Sequence, residues 1–250
     1  MILTVYKPPG WTPLEAMEDL RARTPQLAGV PMVYAGRLDP MAEGTLLVLT
    51  GPDRLTLAQH LSHDKDYVAS FLFGLESDTH DGLGRLKSGH RPPDAESCAA
   101  AVGALPGSYS LPLPAWSAYK VRGRPLHAWA NEGRLHEVTI PTREMVVVTV
   151  GGISTLTTRA TNLLPDVRTR ISRVCGEFRQ SAALVDWSHL AERDPPLVRV
   201  TATLTVTSGT YVRSLAQMLG LQLGCGALLF ALQRTRVGPY SAAKNLPQPE

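Results

Sequence analysis

Residues Tyr34–Gly44 read YAGRLDPMAEG and lead directly into the apolar run TLLVLTG at Thr45–Gly51. In the first segment the carboxylate of Asp39 stands directly before Pro40, with a glycine on each side at Gly36 and Gly44. Proline biases the residue before it towards an extended backbone, and glycine permits close approaches that other residues resist. Since the apolar run is typical of a buried strand, the pattern predicts an acid held on a rigid loop at the start of that strand. An isolated Asp-Pro pair would predict only a turn, so the other motifs of the chain decide between the two interpretations.

Further short motifs occur on both sides of this stretch. In chain order they are Tyr6–Thr12 (YKPPGWT), Lys65–Tyr67 (KDY), Gly74–Asp81 (GLESDTHD), Trp116–Lys120 (WSAYK), Ser208–Ala216 (SGTYVRSLA), Gly224–Ala227 (GCGA) and Leu232–Arg234 (LQR). Together with Tyr34–Gly44 they resemble, in the same order, the motifs of the TruB family of tRNA pseudouridine synthases. In that family the catalytic aspartate lies in a Gly-x-Leu-Asp-Pro-x-Ala-x-Gly motif. The residues of this chain that match it are Gly36, Leu38, Asp39, Pro40, Ala42 and Gly44.

The resemblance covers residues 1–134 and 198–246 and implies both a fold and a reaction. The implied fold is α+β, the pseudouridine synthase fold, with a central mixed or antiparallel sheet, flanking helices and an active-site cleft. The implied reaction is isomerisation of uridine 55 in the T loop of tRNA to pseudouridine, with tRNA as the partner. The family needs no metal and no cofactor, so we expect none here.

Four residues are expected in the reacting centre because they match the family's motifs. Asp39 is the expected nucleophilic carboxylate, and Arg213 is its expected partner, since a nearby opposite charge keeps a carboxylate ionised. Tyr67 is expected to stack on the flipped uracil, an interaction that contributes ~1–3 kcal/mol per base. Leu232 is expected to line the same pocket, although by pattern alone it is an ordinary core leucine.

Other residues are expected to support the site or to contact RNA. The Lys7-Pro8 pair is expected to pack under the active-site loop, and Lys7 could also meet a phosphate. Asp78 and Asp81 either bind RNA or form a turn. Further substrate contacts are expected from Tyr34, Gly36, Arg37 and Lys120, and the segment 120–134 is expected to be a thumb that moves on RNA binding.

Three departures from the family pattern bear on the substrate. Tyr34 stands where the family usually has a histidine, and Ala35 replaces the usual threonine. Residues 1–246 are expected to form the catalytic domain with no C-terminal PUA-type domain, since the sequence stops at Glu250. Residues 151–196 resemble an insertion rich in arginine. We hypothesise that Arg168, Arg170 and Arg173 supply RNA affinity there, the alternative being a disordered or decorative surface loop.

Composition is compatible with an RNA-binding enzyme but does not specify one. The 250 residues carry a net charge of +3, and hydrophobic residues make up 44%, enough for a sizeable core. Residues 120–179 contain ten Lys or Arg and five Asp or Glu, which predicts a locally basic surface. The three cysteines, Cys98, Cys175 and Cys225, are too far apart in sequence to predict a zinc site or a disulfide framework. No apolar run approaches the ~20 residues of a membrane span, so we expect a cytoplasmic protein, and nothing indicates an obligate assembly beyond a monomer.

Periodicity predicts a mixture of helices and strands. Strands are expected at 2–6, 45–50, 67–73, 144–150 and 198–207, and helices at 14–23, 53–61, 95–102 and 214–223. Three functional alternatives remain open. The first is a synthase acting on a different RNA uridine, the second an RNA-binding folding factor without catalysis, and the third a hydrolase that uses Asp39. The third lacks an evident acid–base partner in any motif.

Overall fold

The computed structural model describes residues 1–242, apart from the side chain of Ser88. The first half of the chain forms β1 (Ile2–Lys7), α1 (Pro13–Arg23), β2 (Met32–Ala35), β3 (Ala42–Thr50), α2 (Leu57–Leu61), β4 (Lys65–Phe73), β5 (Leu75–Ser77), β6 (Leu86–Ser88) and α3 (Ala95–Gly103). The second half forms β7 (Gly107–Pro112), β8 (Lys120–Val121), β9 (Arg124–Pro125), α4 (Leu126–Asn131), β10 (Thr142–Arg159), α5 (Ala160–Ser172), α6 (Gln180–Arg193), β11 (Pro196–Val206), α7 (Val212–Gln222) and β12 (Ala227–Val237).

Eight of these strands form one central sheet. Its order is β1-β3-β12-β4-β11-β10-β7, and β2 pairs with β3 outside that path. Strands β12 and β3 are parallel, and the other neighbouring pairs of this sheet are antiparallel. The predicted α+β class with a mixed central sheet is therefore confirmed.

Helices cover both faces of this sheet, and its central strands are therefore buried on both sides. Successive side chains of a strand point to opposite faces. Accordingly Phe71 and Phe73 of β4 lie in a core cluster with residues of α3 and α7, whereas Leu72 between them lies in a cluster with residues of α5 and α6. Within residues 1–242, no helix is both long and apolar enough to cross a membrane.

Most of the predicted elements are present with small changes of boundary, and two differ. The helix predicted at 53–61 is a 3-10 segment at Gly51–Thr56, and only Leu57–Leu61 is α-helical. Local bonds hold these short turns, since Thr56 donates its hydroxyl to the Asp53 carbonyl at 2.7 Å. The strand predicted at 144–150 continues to Arg159, because the sheet accommodates the Gly151-Gly152 pair as an irregularity in its register with β11.

The segment 151–196 is an ordered part of the fold. It completes β10 and then forms α5 and α6, whose apolar faces pack on the sheet through Leu163, Val167, Ile171, Trp187 and Leu190. A disordered or decorative loop is therefore the wrong description of this segment. The end of the predicted catalytic domain, residues 243–246, lies outside the described residues.

The predicted thumb, residues 120–134, consists of the β8–β9 hairpin and α4. The guanidinium groups of Arg124 and Arg134 lie 5.1 and 5.2 Å from the ring centroid of Trp129 on α4. Trp129 packs with Met145 of β10 and with Leu113, which directly follows β7. Movement of this segment on RNA binding stays a prediction.

Candidate active site

Asp39 lies on the short loop that connects β2 to β3, directly above the sheet. The loop begins at Gly36, whose φ of +80° is a backbone conformation that glycine tolerates and other residues resist. Asp39 closes the loop at its other end, because its carbonyl accepts a hydrogen bond from the Ala42 amide at 3.0 Å. Its side chain is 35% exposed, so the carboxylate can reach both the protein and a bound substrate.

Arg213 meets this carboxylate from the first turn of α7. Its Nε donates to Asp39 Oδ2 at 2.8 Å, and its Nη1 donates to the Thr79 carbonyl at 2.8 Å. Both Nη atoms also lie 3.4 Å from the Trp116 carbonyl oxygen. Only 4% of Arg213 is exposed. The pairing of Asp39 with Arg213 that the sequence resemblance implies is present.

Asp81 is a second carboxylate beside the same guanidinium. Its Oδ2 lies 3.9 Å from Arg213 Nε, while its Oδ1 accepts hydrogen bonds from the Thr79 hydroxyl at 2.6 Å and the Leu83 amide at 3.0 Å. Burial raises the pKa of Asp81 and Arg213 opposes that rise. Burial alone would lower the pKa of Arg213, but Asp39 and Asp81 outweigh it and the pKa is raised. The guanidinium is therefore held charged between two carboxylates.

A small pocket is lined in part by this pair. Its lining consists of Asp39, Met41, Ala42, Asp81, Arg213, Leu229, Phe230, Ala231 and Leu232. Leu232 is part of this lining, and its contact with the uracil stays a prediction. Tyr67 is absent from this lining but lies beside it. On the neighbouring strand β12 it pairs with Arg234, two residues after Leu232. It also packs in the same core cluster as Leu38 and Ala42. The structure thus brings together a carboxylate, its cationic partner, an apolar wall and an aromatic ring.

Two buried cations hold the Asp39 loop from behind. Arg234 of β12 donates to the carbonyls of Gly36 at 3.1 Å, Arg37 at 3.3 Å and Thr45 at 2.8 Å. Lys7 of β1 donates from Nζ to the carbonyls of Trp11, Pro8 and Pro40, at 2.5, 3.1 and 3.4 Å. Lys7 is fully buried, which places it as a support beneath the loop and leaves its ammonium no access to a phosphate. Burial lowers the pKa of Lys7 to about 7, although the Asp39 carboxylate opposes the shift.

The remaining predicted contact residues are outside the lining of this pocket. Tyr34 is half-buried on β2 and packs with the cluster around Val5 and Val48, and Arg37 is exposed on the loop itself. Lys120 is exposed on the β8–β9 hairpin. The three arginines of the 151–196 segment lie on or just after α5. Arg168 donates to the Ser188 hydroxyl at 3.2 Å, Arg170 donates to Asp166 at 3.0 Å and lies over the Phe230 ring, and Arg173 is exposed.

Comparisons with known proteins show which family the chain is similar to. Residues 30–172 match the family model described as "TruB family pseudouridylate synthase (N terminal domain)". A tRNA pseudouridine synthase B of Thermobifida fusca (strain YX) is 36% identical over 244 residues, which cover 96% of this chain and 70% of that protein. The namesake of Streptomyces coelicolor (strain ATCC BAA-471 / A3(2) / M145) is 32% identical over 256 residues, 99% of this chain and 71% of that protein.

Solved structures share the fold. A chain of a Cbf5-Nop10-Gar1 complex aligns with a TM-score of 0.57 and 20% identity over 97% of this chain and 50% of its own length. A chain of an H/ACA RNP bound to a substrate RNA containing 2'-deoxyuridine aligns with a TM-score of 0.55 and 18% identity, over 98% of this chain and 50% of its own. This chain therefore spans about half the length of the solved chains. The fold and the site define a pseudouridylate synthase class, and the chain belongs to the TruB family.

Proposed function

We propose that the protein isomerises uridine to pseudouridine in tRNA, with uridine 55 of the T loop as its target. The observation that carries the proposal is the ion pair between Asp39 Oδ2 and Arg213 Nε at the base of a pocket with an apolar wall. Membership of the TruB family and the names of its tRNA-modifying relatives support the substrate.

The reaction is an isomerisation in which every atom of the nucleoside is retained. The bond between C1′ and N1 breaks, the uracil turns, and a new bond forms between C1′ and C5. The hydrogen on C5 is lost and N1 gains a proton, so no oxidant or other reactant is consumed. An ionised carboxylate can divide such a difficult step through a covalent intermediate. Attack on the base, attack on the sugar and assistance of an elimination all use a carboxylate at the position of Asp39.

The surrounding residues are proposed to prepare the base for this chemistry. Because the target uridine lies inside a folded RNA arm, it must be extruded into the pocket before it reacts. The Tyr67 ring stacks on the extruded uracil and Leu232 packs against it, replacing the contacts the base loses in the RNA. Arg213 keeps Asp39 ionised, since an adjacent cation favours the charged form of a carboxylate.

The RNA arm itself is proposed to contact the loop and the basic segments around the site. Gly36 and Arg37 lie beside the reacting nucleotide, Tyr34 contributes to docking of the T loop, and Lys120 meets the RNA from the thumb. The arginine cluster on α5 contributes sequence-independent affinity through phosphates. The protein is proposed to act as a cytoplasmic monomer without metal or cofactor.

The test is pseudouridine formation in an unmodified tRNA transcript, mapped at single-nucleotide resolution. The wild-type protein is compared with Asp39→Ala and with the control Asp19→Ala, which removes a partly exposed carboxylate of α1. We expect product at position 55 from the wild type and the control, and none from Asp39→Ala. Product at another uridine would show that the enzyme modifies a different nucleotide. Tight binding by all three proteins without any product would favour the alternative of an RNA-binding folding factor.

A further inference from the structure

Arg179 is held on two sides at the start of α6, at the edge of the active site. Its Nη1 and Nη2 donate to the two carboxylate oxygens of Asp78 at 2.7 and 3.0 Å. The face of its guanidinium lies 3.7 Å from the centroid of the Trp116 ring. Planar guanidinium groups suit both arrangements, because they bind carboxylates through two parallel bonds and stack on aromatic rings. Arg179 adopts a left-handed backbone with φ of 62° directly before α6.

The two groups that hold Arg179 are also attached to Arg213. Asp78 directly precedes Thr79, whose carbonyl accepts from Arg213 Nη1 at 2.8 Å. The carbonyl of Trp116 lies 3.4 Å from both Nη atoms of the same guanidinium. Arg179 therefore connects two separate chain segments whose carbonyls together orient Arg213. These contacts form a closed path from Arg213 through Trp116, Arg179 and Asp78 back to Arg213.

We propose that Arg179 is a positioning residue for Arg213, and through it for Asp39, in the isomerisation; this rests on the proposed function. By fixing Asp78 and Trp116 together, it keeps the Thr79 and Trp116 carbonyls in place on the Nη side of Arg213. The Nε–H group of Arg213 then points at Asp39 Oδ2, and the two atoms Nε and Oδ2 lie 2.8 Å apart. Small misplacements of a reacting group cost large factors in rate, so a residue that holds the orientation affects turnover without touching substrate.

The same contacts distinguish Arg179 from an RNA-binding arginine. Both arms of its guanidinium are bonded to Asp78, one of its faces is covered by Trp116, and only 29% of its side chain is exposed. Asp78 already neutralises the charge of Arg179, which weakens its attraction for a phosphate. Arg193, at the other end of α6, is by contrast exposed, and it serves as a control on the same helix.

The experiment measures single-turnover pseudouridine formation and transcript affinity for the full chain and its variants. The variants are Arg179→Ala, Arg179→Lys, Asp78→Asn, the Arg179→Ala/Asp78→Asn double variant and Arg193→Ala. We expect the Arg179→Ala rate to fall roughly tenfold, as for a misplaced reacting group, with transcript affinity and its salt dependence unchanged. Lysine keeps the charge but not the paired bonds, so it should not restore the rate. The double variant should lose no more than the single ones, since both changes remove one interaction.

A second readout follows Arg213 itself and does not depend on activity. In protein labelled with ¹⁵N-arginine, the Nε–H signal of Arg213, assigned with Arg213→Lys, should exchange with water faster in Arg179→Ala and as in wild type in Arg193→Ala. Unchanged exchange would overturn the proposal, as would weaker transcript binding at an unchanged rate or restoration of the rate by lysine. If the wild type forms no pseudouridine, the proposed function fails, whereas the exchange experiment still decides whether Arg179 orients Arg213.

Discussion

The guanidinium of Arg234 lies behind the loop that carries Asp39 and donates from Nη2 to the Gly36 carbonyl at 3.1 Å. Only 1% of Arg234 is exposed, and its other bonds also go to backbone carbonyls of the loop region. Buried carbonyls that lose their donor retain the cost of desolvation. Arg234 therefore holds the backbone of the Asp39 loop from strand β12.

We predict that Arg234→Lys destabilises the protein by about 2–4 kcal/mol, because the single nitrogen of a lysine cannot replace Nε, Nη1 and Nη2, each of which bonds a different carbonyl, and each unsatisfied group costs about 1–3 kcal/mol. Chemical denaturation measures the change. Arg236→Lys is the matched control on the same strand, since Arg236 is partly exposed and pairs with Asp66, and it should cost less than about 1 kcal/mol. Equal effects of the two substitutions would show that the loop contacts of Arg234 contribute nothing.

Lys7 is predicted to make stability depend on pH. Burial lowers its pKa from 10.5 to about 7 in the folded protein. Between these values the unfolded chain binds the proton and the folded protein does not, so the free energy of unfolding rises with pH in this window. Below about pH 7 both states are protonated and the effect of Lys7 is constant.

The measurement compares wild type with Lys7→Met by chemical denaturation from pH 6 to pH 9.5. The free energy of unfolding of wild type, minus that of the variant, should rise above about pH 7 with a slope of up to about 1.4 kcal/mol per pH unit. Other titrating groups are common to both proteins and cancel in the difference. A difference that stays flat or falls with pH would mean that Lys7 keeps its proton in the fold.

The α5 arginines are predicted to contribute to tRNA affinity. Replacing Arg168, Arg170 and Arg173 with alanine should weaken transcript binding and reduce the slope of log affinity against log salt by up to about 2–3, the number of phosphate contacts removed. Arg170 is expected to contribute least, because Asp166 already binds it. The control replaces Arg21 and Arg23 on α1, which pair with Glu18 and Asp19. An unchanged slope in the triple variant would contradict this role.

The sequence predicted the parts of the site that reside in side chains of recognisable motifs. Asp39, Arg213 and Leu232 come together as the motif order implied, and the alternating pattern of β4 places Tyr67 on the same face as Phe71 and Phe73. The support by Lys7 was also anticipated.

What the sequence did not predict depends on backbone groups and on contacts between distant segments. The contact between the Trp116 carbonyl and Arg213 has no signature in the sequence, because every residue carries a backbone carbonyl. For Asp81 the sequence predicted only an RNA contact or a turn, because its position beside Arg213 depends on the folded sheet. Arg179 was one of several arginines in a segment without motifs, and its role depends on Asp78 and Trp116, which only the tertiary structure brings to it. The strand predicted at 144–150 stops before the Gly151-Gly152 pair, but pairing with β11 keeps that pair within β10.

The most direct test of the Asp39–Arg213 centre is a single-turnover assay with tRNA transcript that carries tritium at C5 of uridine. Formation of the bond between C1′ and C5 releases that hydrogen, so tritium in water reports the chemical step itself. We predict release by the wild type, limited to one uridine per transcript, and none by Asp39→Asn, which should still bind the transcript. Release by Asp39→Asn at the wild-type rate, or no release by wild type that binds the transcript, would contradict the assignment of Asp39 as the reacting carboxylate.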